Sequence, residues 1–203
     1  QYVIKEWFAD YFIHNSDITF DFTQGNKMIV HREYSEPWKV TVVDTGLNTM
    51  TGGRIKRIQP YVGNEPFFMT YGDGVCDVDL MKLGEFHQTH GKIATLTSVN
   101  VTQRFGVLDI AKDNTIRAFR EKSNDDGSRI NAGYMVLNPE IFDYIEGDST
   151  VFEKEPLQKL AEEGELVSYC HNGYWQCMDT KREKDKLEEL WAINQAPWKK
   201  WKD

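Results

Sequence analysis

The residues in this chain that could do chemistry are carboxylates in places where structure alone has little use for them. Asp73 stands between Gly72 and Gly74, directly after the apolar run at 66–71. Glycines there let the backbone turn sharply and approach a ligand closely. The carboxylate between them can hold Mg²⁺, which takes hard oxygen ligands and substrate phosphates. The same three residues also read as a plain turn, because Asp-Gly is a common turn pair. Asp179 follows the aromatic stretch Tyr174-Trp175-Gln176-Cys177-Met178 and precedes a helix. It is either the cap of that helix or a second carboxylate for the same metal. Asp77 and Asp79 read as a loop carboxylate and a helix cap.

Further groups suit an anionic, hydroxyl-rich ligand. Glu121-Lys122 ends a strand, where the lysine could hold a phosphate and the glutamate could accept from sugar hydroxyls. A solvated ion pair is the alternative. Asn131 opens the next strand and either reads another hydroxyl or is a polar residue at a strand edge. Thr51, Gly52, Gly53 and Arg54 form a glycine-rich segment with a cation, able to approach a base or phosphates, or a plain loop leading into a helix. The histidines make no metal-ligand pattern, and His87 and His90, three apart on a helix, read as surface residues. Cys76, Cys170 and Cys177 are few, odd in number and without ligand spacing, which favours a reduced, cytoplasmic setting and argues against a thiol nucleophile. The aromatic and basic tail at 197–202 reads as packing against its own domain or a neighbouring subunit.

These groups need a scaffold. The chain has 203 residues, 40% hydrophobic and 28% charged, enough for one domain with a sizeable core. A net charge of −8 argues against non-specific nucleic-acid binding. No apolar run reaches the roughly 20 residues needed to cross a bilayer. Periodicity predicts a first helix over 3–12, strands at 17–22, 28–31 and 38–43, and a short helix at 54–58 after a loop at 48–53. A strand at 66–71, dense enough to be central, leads to Asp73. Then follow a helix at 79–90, a strand at 93–99, an antiparallel pair at 106–110 and 116–121, and a strand at 130–138. A helix at 156–163, a strand at 166–169 and a helix at 180–191 complete the series. Strands alternating with helices predict an α/β sheet with a small antiparallel flap, and ligands in such folds bind at the carboxyl ends of strands. The chain starts at Gln1 in the middle of an amphipathic helix with no capping residue, so we expect residues upstream of it.

Taken in order, the segments Phe-Met-Thr-Tyr-Gly-Asp-Gly-Val at 68–75, Arg-Phe-Gly-Val-Leu-Asp-Ile at 104–110, Phe-Arg-Glu-Lys at 119–122, Ile-Asn-Ala-Gly-Tyr-Met-Val-Leu at 130–137 and Tyr-Trp-Gln-Cys-Met-Asp-Thr at 174–180 resemble the sugar nucleotidyltransferase family. The stretch at 36–46, followed by Met-Thr-Gly-Gly-Arg at 50–54, is similar to the branch that joins CTP to glucose 1-phosphate, and the likeness covers essentially the whole chain. The resemblance implies a Rossmann-like nucleotide-diphospho-sugar transferase fold, with a mixed, mostly parallel sheet and helices on both faces. It implies one such domain over residues 1–203, whose first strand and phosphate loop lie upstream of the residues present. It implies that Asp73 and Asp179 bind Mg²⁺, that Lys122 meets the sugar phosphate, that Glu121 and Asn131 bind the sugar and that Gly106 and Gly133 line its site. Thr51, Gly52, Gly53 and Arg54 match the segment near the nucleotide. The products would be CDP-glucose and pyrophosphate, made in a bacterial surface-sugar pathway by a homo-oligomer without nucleic-acid or membrane partners. A dTTP- or UTP-using enzyme and a non-catalytic binding or assembly module are the alternatives. Two departures from the family pattern, Ser123 after Lys122 and Cys177 before Met178-Asp179-Thr180, leave the functional side chains in place.

Overall fold

A computed structural model describes residues 2–32, 36–100, 107–110, 116–120 and 129–201. They fall into two compact units, Gln1–Thr49 and Met50–Asp203.

The first unit opens with helix α1, Tyr2–Ala9, and a short helix α2, Tyr11–His14. A spacing of four puts the rings of Trp7 and Tyr11 side by side, 4.9 Å between centroids. Strands β1, Asp17–Asp21, and β2, Lys27–Arg32, form an antiparallel hairpin. The connection between them passes through Gly25 and Asn26, whose φ angles of 73° and 61° are left-handed, a conformation that glycine and asparagine adopt at little cost. The strand expected at 38–43 does not form, and residues 36–46 show no regular secondary structure. Valine and threonine favour strands only where a neighbour supplies a ladder and a surface to pack on, and β1 and β2 pair only with each other among the described residues.

The second unit carries, in order, α3 (Thr51–Val62), β3 (Phe67–Thr70), β4 (Gly74–Cys76), α4 (Leu80–His90), β5 (Ala94–Asn100), β6 (Val107–Ile110), β7 (Ile116–Arg120), β8 (Arg129–Leu137), a 3-10 turn (Pro139–Tyr144), α5 (Glu155–Glu162), β9 (Leu166–His171), β10 (Trp175–Cys177) and α6 (Lys181–Ala192). Four strands form a mixed sheet in the order β3-β8-β5-β9. In it β8 runs antiparallel to both neighbours and β5 pairs parallel with β9. Three strands therefore share one direction, as the α/β reading expects. β3 lies at an edge among the described residues instead of in the centre, and its side chains alternate between half-buried and exposed. β6 and β7 form the expected antiparallel pair.

The core lies where Ala94, Met135 and Leu137 of the sheet meet Ile141, Phe142, Phe152 and Leu160. Phe67 stacks on Phe142, with centroids 5.8 Å apart. α4 begins as its sequence predicts: the Asp79 carboxylate accepts from the Met81 and Lys82 N–H groups, each at 3.1 Å, and so satisfies two donors that a helix start leaves open. His87 is not on the surface. It is 2% exposed, and its ring nitrogens lie 2.8 Å from Thr95 Oγ1 and 3.1 Å from Asn138 Oδ1. His90 Nε2 reaches the same Thr95 hydroxyl at 2.8 Å. Partners for the ring nitrogens are what allow an imidazole to be buried, and a helical pattern does not reveal them. The tail packs on its own unit, with Trp198 against Tyr174 at 5.6 Å and Trp201 against Trp191 at 6.1 Å.

Candidate active site

The site is organised by the short pairing of β4 with β10. Its register sets Trp175 opposite Cys76, Gln176 opposite Val75 and Cys177 opposite Gly74. One step further, Met178 N–H donates to the Asp73 carbonyl at 2.7 Å. Asp73 and Asp179, more than a hundred positions apart in sequence, thus emerge at the same end of one two-stranded ladder. Two bonds fix that ladder to β8: the Tyr134 hydroxyl donates to the Gly74 carbonyl at 2.9 Å, and Trp175 Nε1–H donates to the Ala132 carbonyl at 2.8 Å.

Asp179 is not the cap of α6. Thr180 is, and it forms a capping box with Glu183. Glu183 Oε2 accepts from the Asp179 and Thr180 N–H groups, each at 3.0 Å, and Glu183 is only 7% exposed. The pattern Thr-x-x-Glu is legible in the sequence, and reading it first would have released Asp179 from the capping alternative. The Cys177 sulfur, an Asp179 oxygen and a Glu183 oxygen lie within 4.8 Å of one another. Burial, and then the neighbouring Asp179, pushes the Cys177 thiol up, and a sulfur ligand is in any case a poor partner for a hard cation. Glu183 is occupied by the capping box. The remaining donors, carboxylate oxygens of Asp73 and Asp179, suit a hard divalent cation such as Mg²⁺ and not a soft metal.

Asn131 and Gly133 sit on β8. The Asn131 Oδ1 accepts from Gly133 N–H at 2.8 Å. Gly133 has a φ of +78°, and a Cβ there would lie 2.5 Å from Tyr71 Cδ2, so the position demands glycine for both conformation and space. The ring of Tyr71, a residue without a sequence signal, therefore lies close against the strand that carries Asn131. Its hydroxyl donates to Glu153. Burial, followed by that carboxylate, raises the Tyr71 pKa well above the usual phenol range.

The glycine-rich segment at 51–54 is not a loop. Thr51, Gly52, Gly53 and Arg54 form the first turn of α3, and both glycines are buried. Gly52 N–H donates to the Thr150 carbonyl at 2.9 Å, and a Cβ on Gly52 would lie 2.8 Å from that oxygen. Close approach of backbone to backbone, and not flexibility, is what this glycine provides. Thr51 Oγ1 accepts from Phe152 N–H at 2.9 Å and donates to Glu153 Oε2 at 2.7 Å. Arg54 is exposed. Gly106, Glu121 and Lys122 lie outside the described residues. Asp77 is a structural carboxylate: its Oδ1 is 2.8 Å from His171 Nε2 and accepts from Tyr174 N–H at 2.7 Å.

Comparison with known proteins gives the family. Residues 53–194 match the model of the family described as nucleotidyl transferase. The chain is 52% identical over 201 residues to the glucose-1-phosphate cytidylyltransferase of Salmonella typhimurium, covering 98% of this chain and 77% of that protein. It is 40% identical over 199 residues to the probable glucose-1-phosphate cytidylyltransferase of Bacillus subtilis, with 98% and 77% covered. Among solved structures, HddC from Yersinia pseudotuberculosis superposes with a TM-score of 0.54 at 25% identity, over 71% of this chain and 64% of that one. The chain thus spans less than two thirds of that solved relative. The chain belongs to the nucleotidyl transferase family. Within the family it is similar, along almost its whole length, to the glucose-1-phosphate cytidylyltransferases.

Proposed function

We propose that this chain makes CDP-glucose and pyrophosphate from CTP and α-D-glucose 1-phosphate. The observation that carries the reading is the β4–β10 pairing, which brings Asp73 and Asp179 to one end of one ladder. A carboxylate pair beside a sheet edge suits a reaction between two polyanions, where charge neutralisation and alignment are the main tasks. An oxygen of the sugar phosphate bonds to the α-phosphorus of CTP. The bond from that phosphorus to the oxygen bridging the α- and β-phosphates breaks, and pyrophosphate leaves with the electron pair. The attacking oxygen is already ionised at neutral pH, so no group on the chain has to take its proton.

Asp73 and Asp179 would hold a divalent metal, Mg²⁺ in our reading, which when bound supplies positive charge to the phosphates. Lys122 would hold the sugar phosphate, Glu121 and Asn131 the sugar hydroxyls, and Gly106 and Gly133 would let the sugar approach the backbone. The first turn of α3, with Thr51, Gly52, Gly53 and Arg54, would border the nucleotide. Three free cysteines suit a reducing, cytoplasmic setting, and no helix among the described residues is long and apolar enough to cross a membrane. Exposed Ile29 and Val30 on β2 offer apolar surface to a homo-oligomer.

The test is pyrophosphate release by the purified protein with Mg²⁺ and each of CTP, dTTP and UTP, with and without glucose 1-phosphate. Release that needs the sugar phosphate and is fastest with CTP supports the proposal. Preference for dTTP or UTP would move the nucleotide assignment. No release with any of them would leave a sugar-nucleotide-binding or assembly module.

A further inference from the structure

Hydrogen bonds through one carboxylate join the start of α3 to Tyr71, whose ring lies against β8. Phe152 N–H donates to Thr51 Oγ1 at 2.9 Å, and that hydroxyl donates to Glu153 Oε2 at 2.7 Å. The other oxygen of Glu153 accepts from the Tyr71 hydroxyl. The Tyr71 ring in turn lies against Gly133 of β8, where an added Cβ would come 2.5 Å from its Cδ2. Asn131, two residues before, accepts from that glycine's N–H through its Oδ1 at 2.8 Å. Thr51 heads the turn assigned to the nucleotide, Tyr71 is two residues before Asp73, and Asn131 is assigned to the sugar. Glu153 stands outside every regular element, just ahead of α5, and is exposed.

Folding does not explain a carboxylate at this place. The hydroxyls of half-buried Thr51 and Tyr71 need partners, but water or a neutral acceptor would serve. An ionised carboxylate instead takes both hydroxyls in charge-assisted bonds, which are stronger than neutral ones, and it fixes the direction of each. Burial of Phe152 at 0% exposure anchors the residue before it, so Glu153 is a carboxylate on a rigid mount with one oxygen turned to each half of the site.

We infer that Glu153 is a positioning residue that holds Thr51 and Tyr71 in fixed relation and so couples binding of the nucleotide to binding of the sugar phosphate. The inference rests on the reading of residues 51–54 and Asn131 as substrate-binding. A ligand that shifts either hydroxyl shifts the carboxylate they share, so binding in one half of the site is felt in the other. By linkage the effect is reciprocal. Glu153 need touch neither substrate, and no proton passes through it.

The experiment measures initial rates of pyrophosphate release by the full chain over a grid of CTP and glucose 1-phosphate concentrations. The variants are Glu153→Ala, Glu153→Gln, Tyr71→Phe and the Glu153→Ala/Tyr71→Phe double variant. In the unmodified chain, saturation with one substrate is expected to lower KM for the other by about fivefold or more. Glu153→Ala is expected to bring that factor close to one and to raise both KM values by about tenfold, the effect of losing charged hydrogen bonds, while kcat at saturation changes much less. Glu153→Gln, which keeps one acceptor oxygen, falls between, and it carries the test if the alanine variant does not fold. The double variant is expected to be no worse than Glu153→Ala alone, because the carboxylate acts through that hydroxyl. A Glu153→Ala protein that keeps the coupling, or that loses kcat with KM unchanged, or a double variant with additive losses, overturns the inference. An unmodified chain that releases no pyrophosphate overturns the functional reading, and the inference with it.

Discussion

Two glycine pairs border the candidate site, and they are there for different reasons. At the start of α3, Gly52 is buried, and a Cβ on it would lie 2.8 Å from the Thr150 carbonyl oxygen and 3.0 Å from Thr150 Cγ2. Around Asp73, a Cβ on Gly72 would meet nothing within 4 Å, and one on Gly74 would meet only Trp175 Nε1, at 3.9 Å. Neither Gly72 nor Gly74 has a left-handed φ. The fold itself demands the first glycine, because backbone approaches backbone there. The fold makes no such demand at Gly72, where a larger residue would fit. Composition cannot separate these two cases, since both read as glycine beside a polar residue. What separates them is whether the space a side chain would fill already belongs to the protein.

The comparison is tested most strongly at the residue between the open glycines. Asp73→Asn keeps size and hydrogen-bonding capacity and removes the charge. Turnover is expected to fall by about 10²–10³-fold, because asparagine would hold a divalent cation poorly and the positive charge at the phosphates would be lost with it. Stability to urea should change by no more than about 0.5 kcal/mol, as for most surface substitutions. An Asp73→Asn protein that turns over normally would return the Gly72–Gly74 segment to the status of a plain turn. Next in size is Gly133→Ala. It combines a φ of +78° with a Cβ 2.5 Å from the Tyr71 ring, so equilibrium unfolding should show a loss of about 2–4 kcal/mol from strain and overpacking together. Full stability in that variant would mean that Tyr71 can swing away from β8 at no cost.

The elements themselves were largely legible in the sequence. The helices at 80–90, 155–162 and 181–192, and the strands at 94–100, 129–137 and 166–171, sit where period and capping residues placed them, because each local pattern agrees with a buried face. The segment at 38–43 failed because strand propensity cannot supply a partner strand. The start of α3 failed because Gly-Gly normally disfavours helix by about 1 kcal/mol per glycine, and the compensation comes from Thr150, a hundred residues away. The site was legible in part. Asp73 and Asp179 could be named, but their common end of one ladder depends on the β4–β10 register, which no local pattern gives. Tyr71 and Glu153 carried no sequence signal at all. A tyrosine after a strand and a glutamate before a helix are ordinary, and only their pairing across the fold makes them otherwise.

The smallest effect is the one that separates the two glycine pairs most directly. Gly52→Ala and Gly72→Ala make the same chemical change, one added methyl group, at two positions without a left-handed backbone. At position 52 the new Cβ must displace the Thr150 backbone or shift the first turn of α3, and equilibrium unfolding should register a loss of about 1–3 kcal/mol. At position 72 it enters space that no described atom occupies. Stability should then stay within about 0.5 kcal/mol, or rise slightly because alanine restricts the unfolded chain more than glycine does. If that space is where substrate comes down on the backbone beside Asp73, turnover by Gly72→Ala falls although the protein is as stable as before. Gly52→Ala does the reverse, losing stability first and retaining turnover per folded molecule to the extent that α3 keeps its place. Equal losses of stability at the two positions would show that the fold demands both glycines alike, and the distinction between them would be gone.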